Sequence, residues 1–202
     1  MQNFPVEYID KESGEKKTAW ISRSVAVSGF IFCKDQKGNW YILANQRGEG
    51  VPDYKYCWNC VCGYLDYDEN AQEAMKREVY EETGLDLKST QFIPYFVNTN
   101  KYENRQNVTI RFYNILKGNL LQYLDFSFNN MEKNEVMNIK WIPIDKIEDY
   151  QWAFNHNEII KETFNMFVNI PWYKKFIINK YTNWIIKPLI QKLYLTPSGA
   201  MY

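Results

Sequence analysis

Between residues 70 and 83 apolar side chains fall at Ala71, Ala74, Met75 and Val79. That is the i, i+3, i+4, i+8 spacing of a helix that turns one stripe to a core. Gly84 closes the stretch, because a left-handed position just past a helix end suits glycine. Upstream, the pattern is that of strands. Phe4, Val6 and Tyr8 alternate ahead of polar residues 11–17, which predicts a short strand and a turn. Residues 24–33, rich in Val, Ile and Phe, predict a buried strand. Polar 35–39 then make a turn, and 40–45 return as the second arm of a hairpin. Residues 47–53 form a loop by their Gly and Pro content, and 56–62 a strand that ends on Gly63. Downstream, 90–98 and 107–117 read as strands joined by a polar loop. A long connection, 119–134, follows, of the length that in a compact domain serves as a lid. Residues 136–144 predict a strand stopped by Pro143, with Asp145 as N-cap of a helical turn. Residues 153–167 predict a helix with Phe154, Ile159, Ile160, Phe164 and Phe167 inward.

The last segment has a different character. Trp172, Phe176, Ile177, Tyr181, Trp184, Ile185, Leu189 and Leu193 recur at helical spacing among Lys174, Lys175, Lys180, Lys187 and Lys192. Pro171 suits a helix start and Pro188 a kink. We expect a domain over 1–170 and a basic aromatic helical extension over 171–202. The extension would pack on the domain or across a homodimer, or else meet a membrane surface or RNA.

Composition narrows the classes. A chain of 202 residues, 46% hydrophobic, is one large domain or a domain with an appendage. Zero net charge removes a whole-chain bias toward nucleic acid or membrane. The balance is uneven, since residues 163–202 hold five Lys and no acid, leaving −5 on the rest. Four cysteines, no signal peptide and no apolar run of membrane-spanning length point to a cytoplasmic protein with reduced thiols. Cys57-x-x-Cys60 with Cys62 has the form of a zinc hook. No fourth ligand is apparent nearby, and Cys60 and Cys62 alternate about Val61 as in a strand, so structural thiols are the favoured role.

The chemistry gathers on the predicted helix. Glu78, Glu81 and Glu82 fall within roughly 100° of one another on its surface. Carboxylates that close repel, and a divalent cation between them relieves the repulsion. Hard oxygen ligands without His or Cys favour Mg²⁺, with Mn²⁺ able to substitute. The alternative is a solvated acidic face held by i, i+4 pairs.

Gly63, five residues, Glu69, seven residues, Arg77-Glu78-Val79, one residue, Glu81-Glu82, one residue, Gly84-Leu85 resembles the Nudix box at every defined position. Seven identities and two aliphatic positions lie within 23 residues. The resemblance implies an α/β class Nudix fold, an α/β/α sandwich with a mixed sheet, over roughly residues 18–165. It also implies cation-dependent cleavage of a pyrophosphate in a nucleoside diphosphate linked to another group. Carried over by position, the metal ligands fall on Glu78, Glu81, Glu82 and the carbonyl of Gly63, with Glu69 beside the metal shell. Arg77 would orient the carboxylates through charge-assisted hydrogen bonds. One departure is Val61-Cys62, where many members place Pro-Gly before the box glycine.

Under that resemblance the general base is a glutamate, with Glu81, Glu82 and Glu135 as candidates. Substrate-binding candidates are Arg23, Arg47, Tyr102 and His156, the last being the only histidine. Members that cut ADP-ribose often carry a proline where this chain has Asn100. Those that cut diadenosine polyphosphates often carry a tyrosine at the spacing of Tyr102. The expected partner is a nucleotide small molecule. Two alternatives are a nucleotide-sensing regulatory module, in which box carboxylates are commonly lost, and a hydrolase that removes caps from RNA.

Overall fold

The computed structural model describes residues 4–21, 23–100, 107–123 and 134–169. The chain divides into two units, Met1–Lys161 and Glu162–Tyr202. Residues 171–202, with the roles expected of them, and Tyr102 lie outside the described residues. Among the described residues no helix is long and apolar enough to cross a membrane.

The chain begins with a hairpin. Strand β1 (Phe4–Ile9) pairs antiparallel with β2 (Lys16–Ile21). Asp10 closes the turn by accepting from the N–H groups of Glu12 and Ser13, and Gly14 takes φ 69°. The sequence anticipated only the first strand and the turn.

Among the described residues the main sheet is mixed and seven-stranded. At its centre, β3 (Val25–Lys34) pairs antiparallel with β4 (Trp40–Arg47) and parallel with β8 (Val108–Ile115). Outside these, β7 (Ile93–Asn98) pairs with β8, and both β5 (Trp58–Asn59) and β9 (Val136–Pro143) pair with β4, all antiparallel. The short β6 (Cys62–Tyr64) pairs with the start of β3. The strand expected over 56–62 is therefore two short strands. The chain switches partner between them, from β4 to β3, with Val61 accepting from the Gly29 N–H on the way.

Every residue of β3 from Val27 to Cys33 is buried, as in a strand covered on both faces. On one side Val27, Ile31, Leu43, Val61, Phe112 and Trp141 pack with Ala74, Met75 and Val79 of helix α1 (Ala71–Thr83). Gly29 allows that approach, since a Cβ there would stand 2.8 Å from the Met75 sulfur. On the other side the Phe30 ring meets His156, 5.7 Å between centroids, at the start of helix α2 (His156–Thr163).

Two boundaries differ from expectation. Helix α2 starts at His156 rather than near 153, because Phe154 and Asn155 take φ of 57° and 56° and cannot extend a right-handed helix. It ends in one π turn, Phe164–Val168. Asp145 is not a cap: it lies inside a 3₁₀ stretch, Ile144–Asp149, which follows Pro143 without a side-chain cap.

Candidate active site

The phase of α1 is fixed at both ends. Asn70 accepts from the N–H groups of Gln72 and Glu73 at 3.0 and 3.1 Å, and its own N–H donates to Glu73 Oε2 at 2.9 Å, a full capping box. At the other end Gly84, φ 75°, donates to the Tyr80 carbonyl at 2.8 Å. The carboxylates between these caps cannot drift around the helix.

Arg77 is the hub of two of them, Glu78 and Glu81, and of Glu69 just before the helix. Its Nε and Nη2 grip Glu69 Oε2 and Oε1 at 3.0 and 2.6 Å, a two-point fork. Nη1 donates to Glu78 Oε1 at 2.8 Å and to Glu81 Oε2 at 2.9 Å, and Nη2 also reaches the Tyr64 carbonyl at 2.9 Å. The Arg77 fork holds the Glu69 carboxyl below its ordinary value, and Glu69 chiefly holds the guanidinium charged. Glu69 accepts in addition from the Asp66 N–H at 3.0 Å. Both its oxygens are engaged, which makes Glu69 the anchor of the arginine latch.

Gly63 lies against the same helix. A Cβ at this position would collide with the Glu78 carboxyl group, so a larger residue here would displace that carboxylate. Glu82 is held differently. It accepts from Asn45 Nδ2 in β4 and from the Cys62 N–H in β6. Desolvation first, then the Glu78 charge, pushes its carboxyl well above the ordinary value. Among the described residues no three His, Cys, Asp or Glu side chains converge as they stand on one metal position; Glu78 and Glu81 are drawn to Arg77.

Other predicted residues separate. Arg47 ends β4 rather than sitting in the following loop; it binds the Asp53 carbonyl and Oδ1 at 3.1 and 3.0 Å and stacks over the Phe154 ring at 5.0 Å. Its charge is nonetheless felt at Glu82 and Cys62, which keeps it beside the box. Arg23 donates to the carbonyls of Thr99 and Asn107, both at 2.9 Å, and so ties the segment after β7 to the one before β8. The Glu135 side chain is exposed, and its carbonyl accepts from the Gly48 N–H at 2.6 Å.

His156 is a correction. It is 5% exposed, and its Nδ1 accepts from the Cys60 N–H at 3.0 Å. Burial, then the charges of Arg111 and Arg47, lower its pKa to about 3. The structure places it in the interior as a neutral acceptor for β5–β6, not at a substrate surface.

All four cysteines are free thiols. Burial raises the Cys60 thiol well above its ordinary value and Cys62 to about 12, and among the described residues no three His, Cys, Asp or Glu side chains are grouped to hold a metal ion. Sequence reasoning missed Asn45. Its one local trait is an amide directly after the apolar run Ile42-Leu43-Ala44, which does not tell what it meets.

Comparison with known proteins agrees with this architecture. The NUDIX domain family matches residues 22–163. An ADP-ribose pyrophosphatase of Methanocaldococcus jannaschii is 24% identical over 161 residues, covering 80% of this chain and 85% of that protein. The NUDIX domain of Shewanella oneidensis NrtR complexed with ADP ribose is similar with TM-score 0.59 at 17% identity, covering 72% of this chain and 89% of that one. RenU, a Nudix hydrolase from M. smegmatis, gives TM-score 0.55 at 15% identity, over 79% and 93% of the two chains. At such identities the solved structures share the fold. With the family matched over most of its length, this chain belongs to the NUDIX domain family and is a Nudix-type pyrophosphohydrolase.

Proposed function

We propose that the protein hydrolyses the pyrophosphate of ADP-ribose and similar nucleoside-diphosphate-linked compounds, with Mg²⁺ as cofactor and Mn²⁺ able to replace it. The observation that carries this reading is the packing of Gly63 onto the Glu78 carboxyl, with Glu82 close enough to feel the Glu78 charge. Two carboxylates and a backbone turn crowded together, without imidazole or thiolate, fit a hard divalent cation. Glu78, Glu81, Glu82 and the Gly63 carbonyl would hold it. When bound, such a cation supplies charge neutralisation at the phosphoryl oxygens and a more acidic water.

The chain's own residues do the rest. Arg77 restrains Glu78 and Glu81 through one nitrogen and is itself anchored by Glu69. Water attacks one phosphorus, the bridging oxygen leaves with the other phosphate, and the water's proton passes to a glutamate. Among the candidates Glu81 fits best. Its side chain is 37% exposed, against 12% for Glu78, and Glu82 is committed to Asn45 and Cys62. The products are two phosphate monoesters, which for ADP-ribose are AMP and ribose 5-phosphate. Arg47, beside the box, supplies positive charge toward the substrate phosphates. Four free thiols fit a cytoplasmic location.

The substrate class is supported by the M. jannaschii relative, named an ADP-ribose pyrophosphatase, and by the S. oneidensis NUDIX domain with its ADP ribose. The test is hydrolysis of ADP-ribose, NAD, diadenosine polyphosphates, nucleotide sugars, dNTPs and capped RNA with Mg²⁺, for wild type and Glu81→Gln. ADP-ribose should be turned over fastest, and Glu81→Gln should lower kcat about 10²–10⁴-fold. Faster cleavage of capped RNA, or binding of ADP-ribose without turnover, would sink the substrate assignment.

A further inference from the structure

We propose that Asn45 is the positioning residue of Glu82, and that the buried pair Asn45–Asn59 supports the cation-facing end of α1. Asn45 follows Leu43 by two residues in β4, so both side chains face α1. It is 1% exposed, and its Nδ2 donates to Glu82 Oε2. Directly opposite in the β4–β5 register stands Asn59, 2% exposed. Residues opposite one another in an antiparallel pair share a face. Asn59 Nδ2 donates to the Cys60 carbonyl at 2.9 Å and to Cys62 Sγ at 3.4 Å. It therefore holds the turn from which the Cys62 N–H reaches Glu82 and from which Gly63 backs onto Glu78. Two amides on neighbouring strands fix Glu82 from two directions, one directly and one through the turn.

The amide oxygens show what the pair is for. Asn45 Oδ1 and Asn59 Oδ1 are buried without a protein partner among the described residues. A buried acceptor left unpaired weakens a fold, and an apolar side chain of similar volume would suit the same strand positions better. Both amide nitrogens, in contrast, are committed to the site. Glu82 has no such support from Arg77, whose hydrogen bonds go to Glu69, Glu78, Glu81 and the Tyr64 carbonyl. The pair costs stability and gives the carboxylate an orientation, the exchange typical of groups that hold a metal ligand from behind.

This role rests on Glu82 being a cation ligand, and the test keeps the two apart. Full-length Asn45→Leu and Asn45→Asp are compared with wild type by Mn²⁺ binding without substrate (electron paramagnetic resonance), by Tm, and by kcat and KM for ADP-ribose with Mg²⁺. Asn45→Leu removes an unpaired oxygen but also the donor to Glu82 Oε2, so it should fold with a Tm within about a few degrees of wild type. Its Mn²⁺ dissociation constant should rise about 10–100-fold, with a matching fall in kcat and KM changed less than about two-fold. Asn45→Asp, which keeps the shape and lacks the donor, should reproduce the losses. Wild-type Mn²⁺ affinity in either folded variant overturns the proposal. Glu82→Gln with wild-type Mn²⁺ affinity overturns the ligand assignment and this role with it. Failure of ADP-ribose as substrate touches neither, because the Mn²⁺ measurement contains none.

Discussion

Helix α1 carries Glu78, Glu81 and Glu82 within two turns and treats them in opposite ways. Glu78 and Glu81, with Glu69 from the preceding loop, face Arg77 and share its guanidinium. Glu82 faces the sheet, where it meets one amide and one backbone N–H and loses most of its water. The same functional group is driven in opposite directions, down at Glu69 by an arginine and up at Glu82 by desolvation and a neighbouring carboxylate. The signs for stability follow. Glu69 stabilises the fold above the ordinary carboxyl range, and this is lost as pH falls through its lowered value. At Glu82 the favourable state is the protonated one, and its stabilisation is lost as pH rises through its raised value. One group of glutamates shares the charge of an arginine; the other is held desolvated against the sheet.

The largest expected effect comes at Glu82. Glu82→Gln keeps the shape and removes the desolvated charge. Activity should fall about 10²–10⁴-fold while stability stays level or rises by up to about 1 kcal/mol. Kinetics and urea unfolding on one preparation check both. A clear loss of stability would mean that Glu82 is a structural pair like the others. The opposite behaviour is expected of Arg77→Met, which strips the latch and leaves three carboxylates to repel. Stability should drop about 1–3 kcal/mol, less than for a fully buried pair because the arginine is 28% exposed. Activity should fall as well, and Arg77→Lys should recover only part of it, because an ammonium cannot fork across Glu69 while reaching Glu78. Full recovery by lysine would reduce the latch to simple charge balance.

The latch was legible in the sequence and the support behind Glu82 was not, for a physical reason. Arg77 and Gly84 act within or next to one helix, so Gly84 marked the helix end and the resemblance to the box implied the arginine's role, whereas the Asn70–Glu73 capping box was not anticipated. Glu82 depends on Asn45 and Cys62, which lie 37 and 20 positions away and come close only through the pairing of β3, β4 and β5. The exchange of partners around Val61 was hidden for a related reason: residues 56–62 are apolar enough to read as one strand, and periodicity is blind to partners. The parallel pairing of β3 with β8 likewise joins segments about eighty residues apart. At 153–156 local pattern gave the wrong boundary, because Phe154 and Asn155 have helical neighbours and left-handed backbones.

The smallest effect concerns His156, a desolvated group on the opposite side of the sheet, and it reads the same contrast with a base in place of an acid. Burial favours neutral imidazole, so its folded pKa of about 3 lies below the ordinary 6.5. The stability it contributes is complete above 6.5 and is lost as pH falls from there toward 3. His156→Asn keeps an acceptor for the Cys60 N–H and cannot titrate. Loss of the ring contact with Phe30 lowers stability at every pH and so cancels from the slope. Between pH 7 and 5, wild type should lose up to about 2 kcal/mol relative to the variant in urea unfolding. Glu82 gains stability over the same range in both proteins and drops out of the difference. A pH-independent difference would mean that water reaches the imidazole and that His156 is not held neutral by burial.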